Sequence, residues 1–237
     1  MTAYKSTTAY EARAPRYDEF AAVTMGDRKR QRHYLEDLLR KHRFMHDTFL
    51  ELGCGTGYFS EVFFQRRPDI SGHLVDGSAE MLELCRQRLS DSVRKARFQH
   101  CRFEACDWSV EKAFDVVFSA YAIHHVADEE KWKLFAKLKE QLCPSGMFIL
   151  FDNFLPREPR SREVIEFLTC MDIKRRGHLV ATSIEQIIET DREKKEAEGD
   201  QEATFEEHLQ QLRNIGFHDV TPVFLEARYG GIIAYKP

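Results

Sequence analysis

Three glycines in five positions, Gly53, Gly55 and Gly57, follow an apolar run and its carboxylate Glu51 in the stretch FLELGCGTGYFSEVFF, residues 49–64. Glycine tolerates positive φ and lets a ligand come close to the backbone. Between a strand and a helix, such a turn is a nucleotide-binding device, because ligands of open α/β sheets settle beyond the carboxyl ends of the strands. The spacing G-x-G-x-G differs from the dinucleotide G-x-G-x-x-G, and the Gly-Lys-Ser/Thr of a phosphate loop is missing. No lysine stands between Gly53 and the end of the next helix to meet a triphosphate. The loop therefore suits close approach by something other than a polyphosphate.

The acids sharpen this reading. Asp76 ends the next apolar segment, where a carboxylate can accept from both hydroxyls of a ribose. Asp107 ends the third, followed by Trp108, an acceptor for an adenine amino group with an indole beside the ring. One adenosine-shaped ligand would touch three successive strand ends. Glu51 would repel phosphates and favour a cationic or amino-bearing ligand, and S-adenosylmethionine carries both an ammonium and a sulfonium. His124 and His125 follow a fourth strand, and an imidazole there is a candidate general base. Read structurally, one caps a helix and the other fills the core. Asp152 and Asn153 follow a further strand, but no companion ligands stand at plausible spacing, so no metal is expected.

The elements that must position these residues alternate. Strands are expected at 48–52, 97–103 and 147–154, with a strand followed by a turn over 72–78 and a strand leading into a loop over 113–123. Helices are expected at 26–43, 58–67, 79–91 (capped by Ser78) and 128–146 (capped by Asp128 and stopped at Pro144-Ser145-Gly146). Four such alternations imply a parallel sheet with helices on both faces. Residues 1–20 read as irregular. Residues 156–215 break the rhythm and read as mostly helices, the middle one highly charged and ended by Gly199-Asp200, and residues 220–227 and 231–236 read as an antiparallel pair about Tyr229-Gly230-Gly231.

The chain has 237 residues, a net charge of -4, 43% hydrophobic and 31% charged residues. That suits one α/β domain and opposes a strongly basic nucleic-acid surface. No run approaches a membrane span, and the N-terminus lacks the apolar core of a secretory signal, so a cytoplasmic location is expected. The six cysteines, at 54, 85, 101, 106, 143 and 170, have no C-x-x-C spacing and read as reduced thiols.

These residues resemble the class I S-adenosylmethionine-dependent methyltransferase family, of the small-molecule type. The resemblance spans about residues 45–155: E-L-G-C-G-T-G, then V-D-G-S (75–78), A-C-D-W (105–108), F-D-V-V-F-S-A-Y-A-I-H-H-V (114–126) and L-C-P-S-G-M-F-I-L (142–150). It implies a Rossmann-like, doubly wound α/β fold, with a seven-stranded, mostly parallel sheet whose last strand is antiparallel, plus helical lid elements. It implies that Glu51, Gly53, Cys54 and Gly55 line the methionine end. Asp76 would hold the ribose, with Gly77 and Met81 near the adenosine, and Cys106, Asp107 and Trp108 would meet the adenine. Ser119 would close over the methionine part. Arg16-Tyr17-Asp18 resembles the family's Tyr-Asp element, in which the tyrosine covers the cofactor.

The expected organisation is one domain: a cap (1–25), a cofactor-binding core (45–155), a helical lid for the acceptor (156–203) and a C-terminal helix and hairpin (204–237). The expected reaction is in-line transfer of the methyl group of S-adenosylmethionine to an O, N, S or C nucleophile of a small molecule, leaving S-adenosylhomocysteine. Phe154, Phe167, Met171 and Tyr229 are candidate apolar walls. Arg157, Arg160, Arg162, Lys174, Arg175, Arg176 and His178 form a basic concentration that reads as an anionic-acceptor site or as an exposed helix. A monomer or homodimer is expected. Three alternatives stay open: a tRNA-modifying relative, a relative using a carboxylated form of the cofactor, and a non-catalytic cofactor-binding subunit.

Overall fold

The computed structural model describes residues 14–91, 93–106 and 113–237. The elements run α1 (Tyr17–Thr24), α2 (Arg28–Lys41), β1 (Thr48–Leu52), α3 (Ser60–Arg66), β2 (Ser71–Asp76), α4 (Ala79–Arg88), β3 (Ala96–His100), β4 (Phe114–Ala120), α5 (Asp128–Gln141), β5 (Leu142–Asn153), α6 (Pro159–Arg176), α7 (Ile184–Glu198), α8 (Phe205–Asn214), β6 (His218–Glu226) and β7 (Tyr229–Tyr235). One seven-stranded sheet has the order β3-β2-β1-β4-β5-β7-β6. Strands β1 to β5 pair in parallel, and β7 runs antiparallel to both β5 and β6. The order reverses between β1 and β4, so a switch point opens above the glycine loop, where α/β sheets bind ligands.

Strand alternation decides which side chains face which helices. Phe49, Val116, Phe118, Met147, Ile149 and Phe151 join one apolar layer with Leu35 and Leu39 of α2, Phe63 and Phe64 of α3, and Leu82 of α4. Leu50, Leu52, Val117, Phe148, Leu150 and Ile232 join the opposite layer with Leu134, Phe135 and Leu138 of α5 and Leu212 of α8. Phe49 and Phe63 stack at 4.1 Å between ring centroids. Truncating either fully buried ring to alanine would cost about 3–5 kcal/mol. Asp115 anchors the entry to β1, accepting from the backbone N–H groups of Met45, His46 and Thr48.

Three local expectations need correction. Residues 17–24 are helical, not irregular: Asp18 and Glu19 in the first turn favour the positive end of the helix dipole. Asp128 does not cap α5. Ala127 stands at the cap, and the Asp128 carboxylate accepts from Lys131 and Arg157. β5 begins at Leu142, because a register shift opposite Phe114 and Val116 admits Pro144 and Ser145 into the strand. Ser78 caps α4 as expected, accepting from Met81 N–H at 3.2 Å.

Candidate cofactor and acceptor site

The glycine loop hangs on the carboxyl end of β2. The N–H groups of Gly53 and Cys54 both donate to the Val75 carbonyl, at 2.8 and 3.1 Å. Gly53 has φ +68°, and a Cβ there would stand 2.2 Å from Ala122 Cβ. The loop thus presses its backbone against the chain leaving β4. Gly55, at φ +53°, faces a different neighbour: a Cβ would meet only Tyr17 Cε1, at 3.9 Å.

Asp76 ties the loop to the next turn. One carboxylate oxygen accepts from Gly55 N–H at 2.8 Å and the other from Ser78 N–H at 2.9 Å. A carboxylate has about four acceptor positions, so two remain for a diol. Burial raises the Asp76 pKa, opposed by the Ser78 and Gly55 hydrogen bonds. Gly77 follows, its carbonyl 3.0 Å from His100 Nε2. These residues form a cradle in which the Asp76 carboxylate is held between the backbone of the glycine loop and the turn at Ser78.

Helix α1 lies over this cradle. Tyr17 sits beside Gly55, and its hydroxyl reaches Met25 Sδ at 3.6 Å. Asp18 is the fastening. It accepts from Thr56 Oγ1 at 2.9 Å, from Arg28 at 3.4 Å and from Arg88, which also donates to the Thr56 carbonyl at 3.0 Å. Burial works to raise the Asp18 pKa, but the hydrogen bonds from Arg88 and Thr56 outweigh it and hold the carboxyl below its ordinary range. Arg28 stacks over the Tyr58 ring at 3.8 Å. Thr56, Arg28 and Arg88 escaped the sequence reading, because their role depends on α2, α4 and the loop meeting in space.

Glu51, Met81 and Ser119 lie beneath the cradle. Glu51 is 1% exposed and accepts from Ser60 Oγ at 2.6 Å, and burial raises its pKa well above the carboxylate range. Ser119 donates to the Leu52 carbonyl at 3.0 Å, joining the ends of β4 and β1. Met81 is buried in the first turn of α4. Cys54 is buried against Cys85, and burial pushes its thiol pKa upward. Past the carboxyl end of β3, a disulfide joins Cys106 to Cys101, correcting the expectation of six reduced thiols. The 3-10 turn Phe103–Ala105 brings their Cα atoms to 5.9 Å, within disulfide reach. Asp107 and Trp108 lie outside the described residues.

The carboxyl ends of β4 and β5 form the other half of the site. Tyr121 adopts positive φ, 55°, and its hydroxyl accepts from Gln31 Nε2 at 2.6 Å. The chain then enters the short turn Ile123–His125. His124 Nδ1 contacts Asp152, which also accepts from the backbone N–H groups of His124 and Asn153, at 3.0 and 2.9 Å. Asp200, just past α7, lies 3.8 Å from His124 Nε2 and 2.9 Å from His125 Nδ1. Burial opposes a charged His124, but Asp152 and Asp200 outweigh it and raise its pKa; burial and the neighbouring His124 lower that of His125. Asp200 arrives from a different part of the chain, with no local motif to announce it.

The expected acceptor walls separate. Tyr229 and Phe154 are buried, Tyr229 against Tyr121 and Phe154 against Phe205 and His208. Phe167 is exposed on α6. The basic concentration does not converge either. Arg157 pairs with Asp128 and Glu207, Lys174 donates to the Thr182 carbonyl, and Arg176 contacts Gly26 and Asp172. No helix among the described residues is long and apolar enough to cross a membrane.

The comparisons agree with this geometry. A family described as "Methyltransferase domain" matches residues 49–146, from β1 to the early part of β5. A trans-aconitate 2-methyltransferase from Pseudomonas paraeruginosa is 34% identical over 120 residues, 50% of this chain and 40% of that protein. A malonyl-[acyl-carrier protein] O-methyltransferase from Ilyobacter polytropus is 30% identical over 146 residues, 60% of this chain and 48% of that protein. The chain thus spans less than half the length of these relatives. The DhpI–SAH complex has the same fold at a TM-score of 0.63 and 17% identity, over 97% of this chain and 94% of that one. The segment that carries the glycine loop and the Asp76 turn is thus similar to the methyltransferase domain family over residues 49–146.

Proposed function

We propose that this protein is a methyltransferase that moves the methyl group of S-adenosylmethionine to an oxygen nucleophile of a small molecule, a carboxylate-bearing acceptor in particular. The observation that carries the reading is the cradle: two left-handed glycines, the Asp76 carboxylate with acceptor positions to spare, and Tyr17 beside Gly55. When bound, S-adenosylmethionine supplies an electrophilic sulfonium methyl. The chain's part is placement. The Gly55 approach and Asp76 fix the donor side, and α1 excludes water from above. The ends of β4 and β5 present the acceptor side. Holding two reactants in line in a dry site supplies much of the barrier reduction that a displacement needs.

A carboxylate oxygen is already nucleophilic and needs no base. This suits the histidine turn, where Asp152 and Asp200 face the two ring nitrogens of His124. The relatives named for trans-aconitate and for malonyl-[acyl-carrier protein] support the same choice of acceptor. The test is calorimetric titration with S-adenosylmethionine and S-adenosylhomocysteine, with NAD and ATP as controls, followed by a screen of di- and tricarboxylic acids for methyl esters by mass spectrometry. Preference for NAD or ATP would refute the cofactor reading. Cofactor binding with methylation confined to amines or thiols would refute the acceptor reading.

A further inference from the structure

We propose that His124, His125 and Asp200 form a binding site for one divalent transition-metal ion, ligated by His124 Nε2, His125 Nδ1 and Asp200 Oδ1. The three side chains offer ligand atoms within 4.8 Å of one another. Metal–ligand bonds of about 2.1 Å in a tetrahedral site put neighbouring ligand atoms roughly 3.4 Å apart. The two separations from Asp200 Oδ1, 2.9 and 3.8 Å, bracket that value.

Two further features fit a ligand set better than a simple ion pair. The first is orientation. Asp152 holds His124 Nδ1 and is itself fixed by two backbone N–H groups, so His124 Nε2 points at Asp200. A carboxylate on the far nitrogen is the usual support of a metal-bound histidine. The second is the place of Asp200 Oδ1, which is buried with two imidazole nitrogens near it, at 3.8 and 2.9 Å. Its lone pairs converge with theirs on common space.

Two imidazoles and one carboxylate favour first-row transition metals over calcium or magnesium and leave coordination positions open. The His124 and Asp200 side chains are each 4% exposed and that of His125 10%, so any open position faces the His125 side. This placement rests on the fold alone. Resting on the proposed function, it adds a role: a cation there would take an oxygen of the acceptor and orient it at the ends of β4 and β5.

The experiment uses untagged full-length protein stripped with EDTA. ZnCl2 is titrated calorimetrically, and CoCl2 is followed by its visible absorption. One equivalent should bind, with a cobalt spectrum of nitrogen and oxygen ligation. His125→Ala and Asp200→Asn should each weaken binding at least tenfold. Asp152→Asn, which only releases the orientation of His124, should weaken it by about 10–100-fold. His218→Ala, at an exposed histidine on β6, should leave it unchanged. Failure of the stripped wild type to take up either ion would overturn the proposal. So would stoichiometric uptake indifferent to both ligand variants. Near-UV circular dichroism checks that each variant folds; if one does not, the wild-type cobalt spectrum decides alone. S-adenosylmethionine binding to the same stripped protein is read separately, so loss of the metal reading and loss of the cofactor reading remain distinct results.

Discussion

Gly53 and Gly55 stand two residues apart in one loop, both left-handed, and alanine at each should fail in a different way. An L-residue in that conformation costs about 1–2 kcal/mol. Alanine also restricts the unfolded chain relative to glycine, which returns about 0.4–1 kcal/mol. At Gly55 nothing else enters, because the new Cβ meets only Tyr17 Cε1 at an ordinary 3.9 Å. The net cost is therefore about 1 kcal/mol. At Gly53 the new Cβ would stand 2.2 Å from Ala122 Cβ, so the loop or the chain after β4 must move. Overpacking of this kind adds about 1–3 kcal/mol, for a total of about 2–4 kcal/mol.

Binding should reverse the ranking relative to stability. The space over Gly55, between the loop and Tyr17, is where the proposed cofactor must run. A methyl group there should weaken S-adenosylmethionine binding at least tenfold, equivalent to about 1.4 kcal/mol, in a protein that still folds. Urea unfolding gives the stability of each variant and calorimetry gives its affinity. The reasoning fails if Gly55→Ala binds like wild type, or if it is as destabilised as Gly53→Ala.

Further outcomes follow from the same contacts. Asp76→Ala should weaken S-adenosylmethionine by about 1–3 kcal/mol, the scale of hydrogen bonds to a charged group, with unchanged affinity excluding a ribose role. Asp18→Asn should loosen α1 from Thr56 and Arg88, so stopped-flow should find faster cofactor release with little change in urea midpoint. Asp191→Ala leaves Arg228, only 1% exposed, without its bidentate partner at 2.5 and 2.9 Å, and should cost about 3–5 kcal/mol in urea unfolding. His208 is buried among Trp132, Phe135 and Phe154, and burial, aided by Lys131, lowers its pKa to about 4. The unfolded chain then takes up a proton below about pH 6.5 that the folded chain refuses, so stability falls with acid through the window from there to about pH 4. The loss between pH 7 and pH 5 should be about 2 kcal/mol smaller in His208→Phe, and an unchanged pH slope would contradict it.

The strands and the glycine loop were legible because their signals are local. Alternation in FDVVFSA and MFILF follows from the pleat, and G-x-G-x-G follows from backbone that needs positive φ. Asp76 was legible for the same reason, as the acid ending a strand. What was hidden depends on separate segments meeting. Thr56 carries no motif and acts only because α1 places Asp18 beside it. Asp200 read as the end of a charged helix, yet the fold brings it to the histidine turn. The basic residues at 157–178 fit the exposed-helix reading of the two offered: close in sequence, they are spread around an 18-residue helix and its flanks, and several are already paired.

Helix α1 belongs to both halves of the site. One side of it is fastened to the glycine loop and α4 through Asp18. On another side Val23 packs with Cys170 and Ile173 of α6 and Ile187 of α7, the small apolar cluster that holds these two helices together. The Thr24 carbonyl accepts from Tyr229 at 2.9 Å, and Lys194 of α7 lies 5.2 Å from the Phe20 ring centre. Moving the cap off Gly55 therefore disturbs contacts with α6 and α7, which lead into Asp200. A cofactor entering beneath Tyr17 and an acceptor reaching His125 would meet parts of one packed assembly rather than two independent doors. Under the proposed function, closure of α1 over the donor would have a direct physical route to Asp200, through Val23, α6 and α7, with no need for the two ligands to touch first.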